Sequence, residues 1–163
     1  MTGIYLLLGT NLGNKLANIQ RAKELLTSHL IVVKKESRIY ETAAWGIEDQ
    51  PSFLNQVIEV DSGKSPERVL KICQLIEEEM GRVRHEKWGE RLIDIDILYF
   101  GERAYKKENL EIPHPGIPER RFTLAPLVEL AEELLHPVLK KTQAELLEAC
   151  PDSLELQVFE EPL

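Results

Sequence analysis

Residues 82–100, RVRHEKWGERLIDIDILYF, end in a run where apolar and acidic side chains alternate. Successive side chains of a strand point to opposite faces, so Ile93, Ile95 and Ile97 share one face and Asp94 and Asp96 the other. Two like charges held that close repel unless a cation neutralises them or water screens them. Paired hard oxygen ligands suit Mg²⁺, which keeps the rest of its shell for water and substrate phosphates. The segment before the strand carries Arg82, Arg84, His85, Lys87 and Arg91, cations fitted to phosphate. A strand with one solvated face alternates in the same way, so the metal site and the solvated face are both open on these residues alone. Asp is depleted in strands, and two in one strand weigh toward the site.

The 163 residues suit one domain, expected to run over 1–163, with 43% hydrophobic and 29% charged residues as in ordinary globular chains. A formal net charge of -8 argues against a general nucleic-acid or acidic-membrane surface. Local basic loops remain compatible with a small phosphorylated ligand. The start, MTGIYLLLGTNLG, has neither the basic stretch nor the cleavage site of a signal peptide. No window approaches the roughly 18 apolar residues of a membrane span. Cys73 and Cys150 lack CxxC spacing and read as buried thiols, which makes the cytoplasm the expected compartment.

Working along the chain, residues 4–8 read as a buried strand and 9–14 as a glycine-bearing turn. Leu16, Ile19, Ala22 and Leu26 recur at helical spacing to about Ser28. Residues 30–42 suit one long strand, and 54–61 alternate as another, with Asn55 and Val57 on one face and Leu54, Gln56 and Ile58 on the other. Between them, residues 43–53 form a loop holding Trp45 and Phe53, rings that either tuck under the loop or cover a flat heterocycle. Ser65 and Pro66 start a helix with Val69, Ile72, Cys73, Ile76 and Met80 as its buried stripe. Gln74 and Glu77 fall on a different arc, which by itself reads as a solvated face. After the acidic strand, residues 101–109 read as a turn or hairpin tip. Ile112-Pro113-His114-Pro115 is extended. Helices near 124–134 and 142–149 and a last strand at 154–159 complete the chain.

The order strand, helix, strand, strand, helix, strand predicts an α+β fold of ferredoxin-like βαββαβ type, an antiparallel sheet with helices on one face and an extra, partly helical C-terminal segment. The Asp-Ile-Asp strand is the fourth and is expected in the middle of the sheet.

Several motifs now line up. Gly9-Thr10-Asn11-Leu12-Gly13, Asp49-Gln50-Pro51 with Phe53-Leu54-Asn55, Gly81-Arg82, Trp88-Gly89, Arg91 with Leu92-Ile93-Asp94-Ile95-Asp96, and Pro113-His114-Pro115 followed by Arg120 and Phe122-Thr123-Leu124-Ala125-Pro126-Leu127 occur in series. Together they resemble the 6-hydroxymethyl-7,8-dihydropterin pyrophosphokinases of folate biosynthesis, over about residues 4 to 135. The resemblance implies transfer of a pyrophosphoryl group from ATP to the hydroxymethyl of a reduced pterin, leaving AMP. It implies that Asp94 and Asp96 hold two Mg²⁺ ions. Phe53 and Phe122 would sandwich the pterin, and Asn55 would read its amide edge, with Thr42 and the loop near Trp45 assisting. Arg82 and Arg91 would reach the phosphates from a mobile loop, and Arg120 would stand near the transferring group. Gln74, Glu77, Arg84, Trp88, Ile97 and His114 would serve the nucleotide side. The implied partners are these two small molecules, with no nucleic acid, membrane or obligate protein partner.

Two other classes compete. A ferredoxin-like RNA-binding or regulatory module needs sheet-surface aromatics and a basic face, but acids stand on the face in question here. A palm-type nucleotidyl transferase also uses an acid pair on such a sheet, yet has no use for paired rings beside Asn55.

Overall fold

Every residue of β1 (Ile4–Thr10) is buried, although its side chains alternate between two faces. A strand buried on both faces must have a layer on each side and a neighbour at each edge. In this computed structural model, which describes residues 3–42, 52–81 and 92–159, β1 has both. The other strands are β2 (Val32–Glu36), β3 (Tyr40–Thr42), β4 (Phe53–Asp61), β5 (Asp94–Phe100), β6 (Tyr105–Lys107), β7 (Leu110–Ile112) and β8 (Leu156–Val158). The helices are α1 (Lys15–Ser28), α2 (Pro66–Gly81), α3 (Arg121–Ala131) and α4 (Gln143–Glu148). The main sheet runs β5-β1-β4-β3-β8, with β2 also on β4 and β6-β7 as a separate hairpin. All pairings in it are antiparallel.

The two helices read from spacing form for the expected reasons. Asn14 caps α1 by accepting the Ala17 N–H, and Ile19, Ala22, Leu25 and Leu26 are its buried stripe. Ser65 Oγ accepts the Arg68 N–H at the start of α2, whose buried stripe is the one predicted, with Pro66 added. Both helices cover the face that carries Ile4, Leu6, Leu8, Leu54, Ile58, Val60, Ile95 and Ile97. The opposite face, with Tyr5, Leu7, Val57, Leu98 and Tyr99, is covered by Leu124 and Leu127 of α3 and Leu146 of α4. The C-terminal segment is thus the second helical layer.

Three expectations are corrected. The long strand over 30–42 is two strands pairing successive parts of β4. At the break, the Ser37 N–H donates to the Val57 carbonyl, and the Ser37 hydroxyl accepts the Val57 N–H, a hydroxyl taking the place of a strand carbonyl. The Asp-Ile-Asp strand is not central. Among the described residues it pairs β1 alone within the main sheet and forms its edge, because β4 takes the other side of β1. Helix α3 begins at Arg121 rather than near 124, since an acceptor from far along the chain takes its first N–H, as described below. Cys73 is buried, and burial pushes its thiol up to about 12, whereas Cys150 is only half-buried. Among the described residues no helix is long and apolar enough to cross a membrane.

Candidate active site

The register of the sheet lays the acids beside residues more than thirty positions away. Gly9 of β1 lies opposite Asn55 on one side and Asp94 on the other. Tyr40 of β3 lies opposite Asn55, which completes one row across four strands. Leu7 similarly lies between Val57 and Asp96, and Thr42 opposite Phe53. The row at Gly9 has no side chain at its centre, and a Cβ there would stand 3.0 Å from Asn55 Oδ1. Glycine leaves that space open, so the amide of Asn55 lies over the strand.

Above these rows is a cavity of about 480 Å³. Thr42, Phe53, Asn55, Asp94, Asp96, Arg120 and Phe122, seven of the residues expected from sequence, line it together. Asn55 and Thr42 are buried polar groups, each 4% exposed, whereas Asp94 is exposed and Asp96 partly so. With β1 between them, the β5 side of the cavity offers carboxylates close to water, and the β4 and β3 side offers the Phe53 ring and a sequestered amide, with Phe122 added from α3.

Arg120 and Phe122 come from the turn into α3. The Arg120 guanidinium carbon lies 5.8 Å from the Phe122 ring centroid, a cation over an aromatic face. Gly116 makes this placement possible, since a Cβ at that position would stand 2.7 Å from Arg120 Cζ and Nε. His114 stands beside the acids, its Nε2 4.0 Å from Asp96 Oδ2. Its Nδ1 accepts the Gly116 N–H at 2.9 Å, so the neutral ring carries its proton on Nε2, toward Asp96. Burial lowers its pKa from the ordinary histidine value, Arg120 lowers it further, and Asp96 and Glu111 act against both.

The remaining expectations fall elsewhere. The Glu77 carboxylate accepts the Ile95 N–H at 2.8 Å, tying α2 to the strand between its two acids. Gln74 is exposed on α2, and the Ile97 side chain belongs to the core on the helix side of the sheet. None of these three lines the cavity. Trp45, Arg82, Arg84, Trp88 and Arg91 lie outside the described residues. The glycine-bearing turn after β1 has local roles: Asn18 Nδ2 donates to Thr10 Oγ1 and the Leu12 carbonyl, and Thr10 Oγ1 donates to the Leu92 carbonyl.

Sequence reasoning missed Leu7, Glu119 and Leu154, which also line the cavity. Leu7 carried a usable signal, since it alternates with Leu6 and Leu8 along β1. Leu154 carried none.

With the geometry in place, comparison with known proteins decides the family. Residues 5–132 match the family model described as 7,8-dihydro-6-hydroxymethylpterin-pyrophosphokinase (HPPK). The chain belongs to this family. A 2-amino-4-hydroxy-6-hydroxymethyldihydropteridine pyrophosphokinase of Bacillus subtilis is 42% identical over 131 residues, 80% of this chain and 78% of the relative. One from Aquifex aeolicus is 38% identical over 141 residues, 86% and 88% of the two chains. The folic acid synthesis protein fol1 of Pneumocystis carinii is 42% identical over 135 residues, 83% of this chain, but this chain spans only 18% of its length. Among solved structures, the wild-type HPPK-DHPS of Plasmodium falciparum with pteroate superposes with a TM-score of 0.73 at 18% identity, over 91% of this chain and 42% of that one. At that identity the likeness shows the fold.

Proposed function

We propose that this HPPK-family chain transfers a pyrophosphoryl group from ATP to the hydroxymethyl group of 6-hydroxymethyl-7,8-dihydropterin, releasing AMP, a step of tetrahydrofolate biosynthesis. The observation that carries the reading is the one cavity lined by a carboxylate pair from β5, a buried amide and a ring from β4, and a second ring from α3. An apolar slot with few polar groups holds and orients a flat heterocycle. Phe53 and Phe122 supply the stacking walls, Asn55 reads the polar edge of the ring, and Thr42 closes that side.

Transfer of a phosphoryl-type group demands positioning and charge neutralisation more than covalent chemistry. Asp94 and Asp96 suit Mg²⁺, because two carboxylates on one strand face provide the small oxygen donor set that this ion takes from protein, leaving positions for phosphate and water. Asp94 and Asp96 would hold two Mg²⁺ ions, which would supply charge neutralisation for the phosphates. Arg120, held over Phe122 in the cavity that the acids also line, would supply a permanent cation for the transferring group. His114 offers its Nε2–H on the same side, as a phosphate contact. Glu77 serves the nucleotide side by fixing the strand between the acids, and Gln74 and the backbone around Ile97 flank it. Arg82, Arg84, Trp88 and Arg91 rest on the resemblance as phosphate and nucleotide contacts, and Trp45 as a cover for the pterin. Residues 1–163 are read as one catalytic domain, since β8 near the C-terminal end joins the same sheet as β1. The cytoplasm is its proposed compartment.

The test is AMP release and product mass with ATP, Mg²⁺ and the hydroxymethyl pterin. ADP in place of AMP, or activity unaffected by chelation of Mg²⁺, rejects the reading or its metal requirement respectively.

A further inference from the structure

The last turn of chain, beyond the residues that match the family model, reaches back into the site. Leu154 lines the cavity together with Phe53 and Phe122. Its position is fixed at both ends. Asp152, 8% exposed, accepts the Leu154 N–H on Oδ1 at 2.9 Å and the Arg121 N–H on Oδ2 at 3.1 Å. Arg121 opens α3 and lies between Arg120 and Phe122, and no side chain of its own turn caps the helix. One carboxylate thus caps the helix that carries two cavity walls and sets the backbone of a third. Two residues further on, β8 pairs with β3, placing Leu156 opposite Thr42, itself a cavity residue. The Phe159 N–H then donates to the Ile39 carbonyl at 2.8 Å. The segment is therefore strapped from α3 to β3 across the ring end of the cavity, with Leu154 at the middle of the strap.

We propose that Leu154 is a substrate-binding residue, an apolar wall of the heterocycle slot, and that Asp152 is the positioning residue that holds it there. The inference rests on the pterin reading above. A branched apolar side chain beside two aromatic rings favours the flat, weakly polar flank of a reduced bicyclic ring and disfavours charged substituents there. Because the acids stand at the other end of the cavity, the contact is to the pterin and not to the nucleotide. Loss of Leu154 therefore acts on one substrate.

The experiment is calorimetric titration of the full chain, with Mg²⁺ and a nonhydrolysable ATP analogue, by 6-hydroxymethyl-7,8-dihydropterin. Leu154→Ala is expected to weaken pterin binding by about tenfold, the scale of removing several apolar atoms from a binding pocket. Analogue affinity should stay within about twofold, and Leu154→Met should restore most of the loss. Leu154→Gln, close in size but polar, tests the apolar requirement with little change in packing volume. Asp152→Ala should raise the pterin KM, and Asp152→Asn, which keeps one acceptor of the two, should fall between. Glu155→Ala, an exposed neighbour, is the control. Unchanged pterin affinity in both Leu154→Ala and Leu154→Gln, or equal losses for pterin and nucleotide, overturns the inference while leaving the pterin reading intact. Failure of the unmutated chain to bind the pterin overturns that reading and this inference with it.

Discussion

At the residue scale, the site depends as much on absent side chains as on present ones. The proposed metal site rests on Asp94 and Asp96, so Asp94→Ala and Asp96→Ala should each lower AMP release by at least about a hundredfold, the scale of electrostatic transition-state stabilisation. Near-normal turnover in both would remove the acids from the chemistry. Gly116 allows a sharper prediction. A methyl there would stand 2.7 Å from the Arg120 guanidinium, a flexible side-chain end that moves aside more easily than backbone. Gly116→Ala should therefore fold and should reproduce the kinetic defect of Arg120→Ala, with the double variant scarcely worse than either single one. Independent, multiplying defects in steady-state kinetics would show that Gly116 serves something other than Arg120. The glycine itself was not legible as functional, because the residue it makes room for lies four positions on and its direction is set by the turn.

At the element scale, β5 is held by β1 on one side and by the Glu77 hydrogen bond to the Ile95 N–H. An edge strand has fewer partners than a central one, so each tie to it matters more for the acids it carries. Glu77→Gln keeps the shape and weakens the charge-assisted bond, and should cost about 1 kcal/mol or less in stability. AMP release should fall more than that stability loss explains, because the affected backbone lies between Asp94 and Asp96. A drop in Tm with unchanged kcat would leave Glu77 as a structural brace. Here the sequence was read correctly for pattern and incorrectly for place. Alternation identified the strand and the faces of its side chains, but alternation is identical in edge and central strands. The same limit explains the segment over 30–42, where β-forming residues run on through Ser37 and only the pairing to Val57 reveals the break.

At the scale of the whole molecule, two helical layers of different origin enclose one sheet. The second layer is tied to the sheet through Tyr99, whose hydroxyl accepts a 2.7 Å bond from Gln143 Nε2, and whose ring meets His136 edge-on at 5.7 Å. Burial pushes the Tyr99 hydroxyl up to about 12 and holds His136 below the ordinary histidine range. His136 Nδ1 also accepts the Val138 and Leu139 N–H groups, which requires its unprotonated lone pair. The unfolded chain therefore takes up this proton first as the pH falls below about 6.5, and stability present at neutral pH is lost through that window. Half-buried His114 contributes in the same direction. His136→Asn, whose side-chain oxygen can accept the same two donors, should reduce the fall in Tm between pH 7.5 and pH 5.5. An equal fall in the variant and the unmutated chain would acquit His136.

By itself the sequence determined the order of elements, the faces of its helices and strands, and seven residues that meet in one cavity. Those features follow from local periods of 2.0 and 3.6 residues and from short motifs, which the chain carries wherever it folds. Only the tertiary structure decided that the acidic strand lies at the sheet edge, that α3 and α4 form a second layer, and that Leu154 stands in the wall of the slot. Each of these depends on which strand wins each side of β1 and on a carboxylate reaching back thirty-one residues to start α3. Long-range pairing of this kind is settled by burying both faces of the sheet together, and no local pattern encodes it.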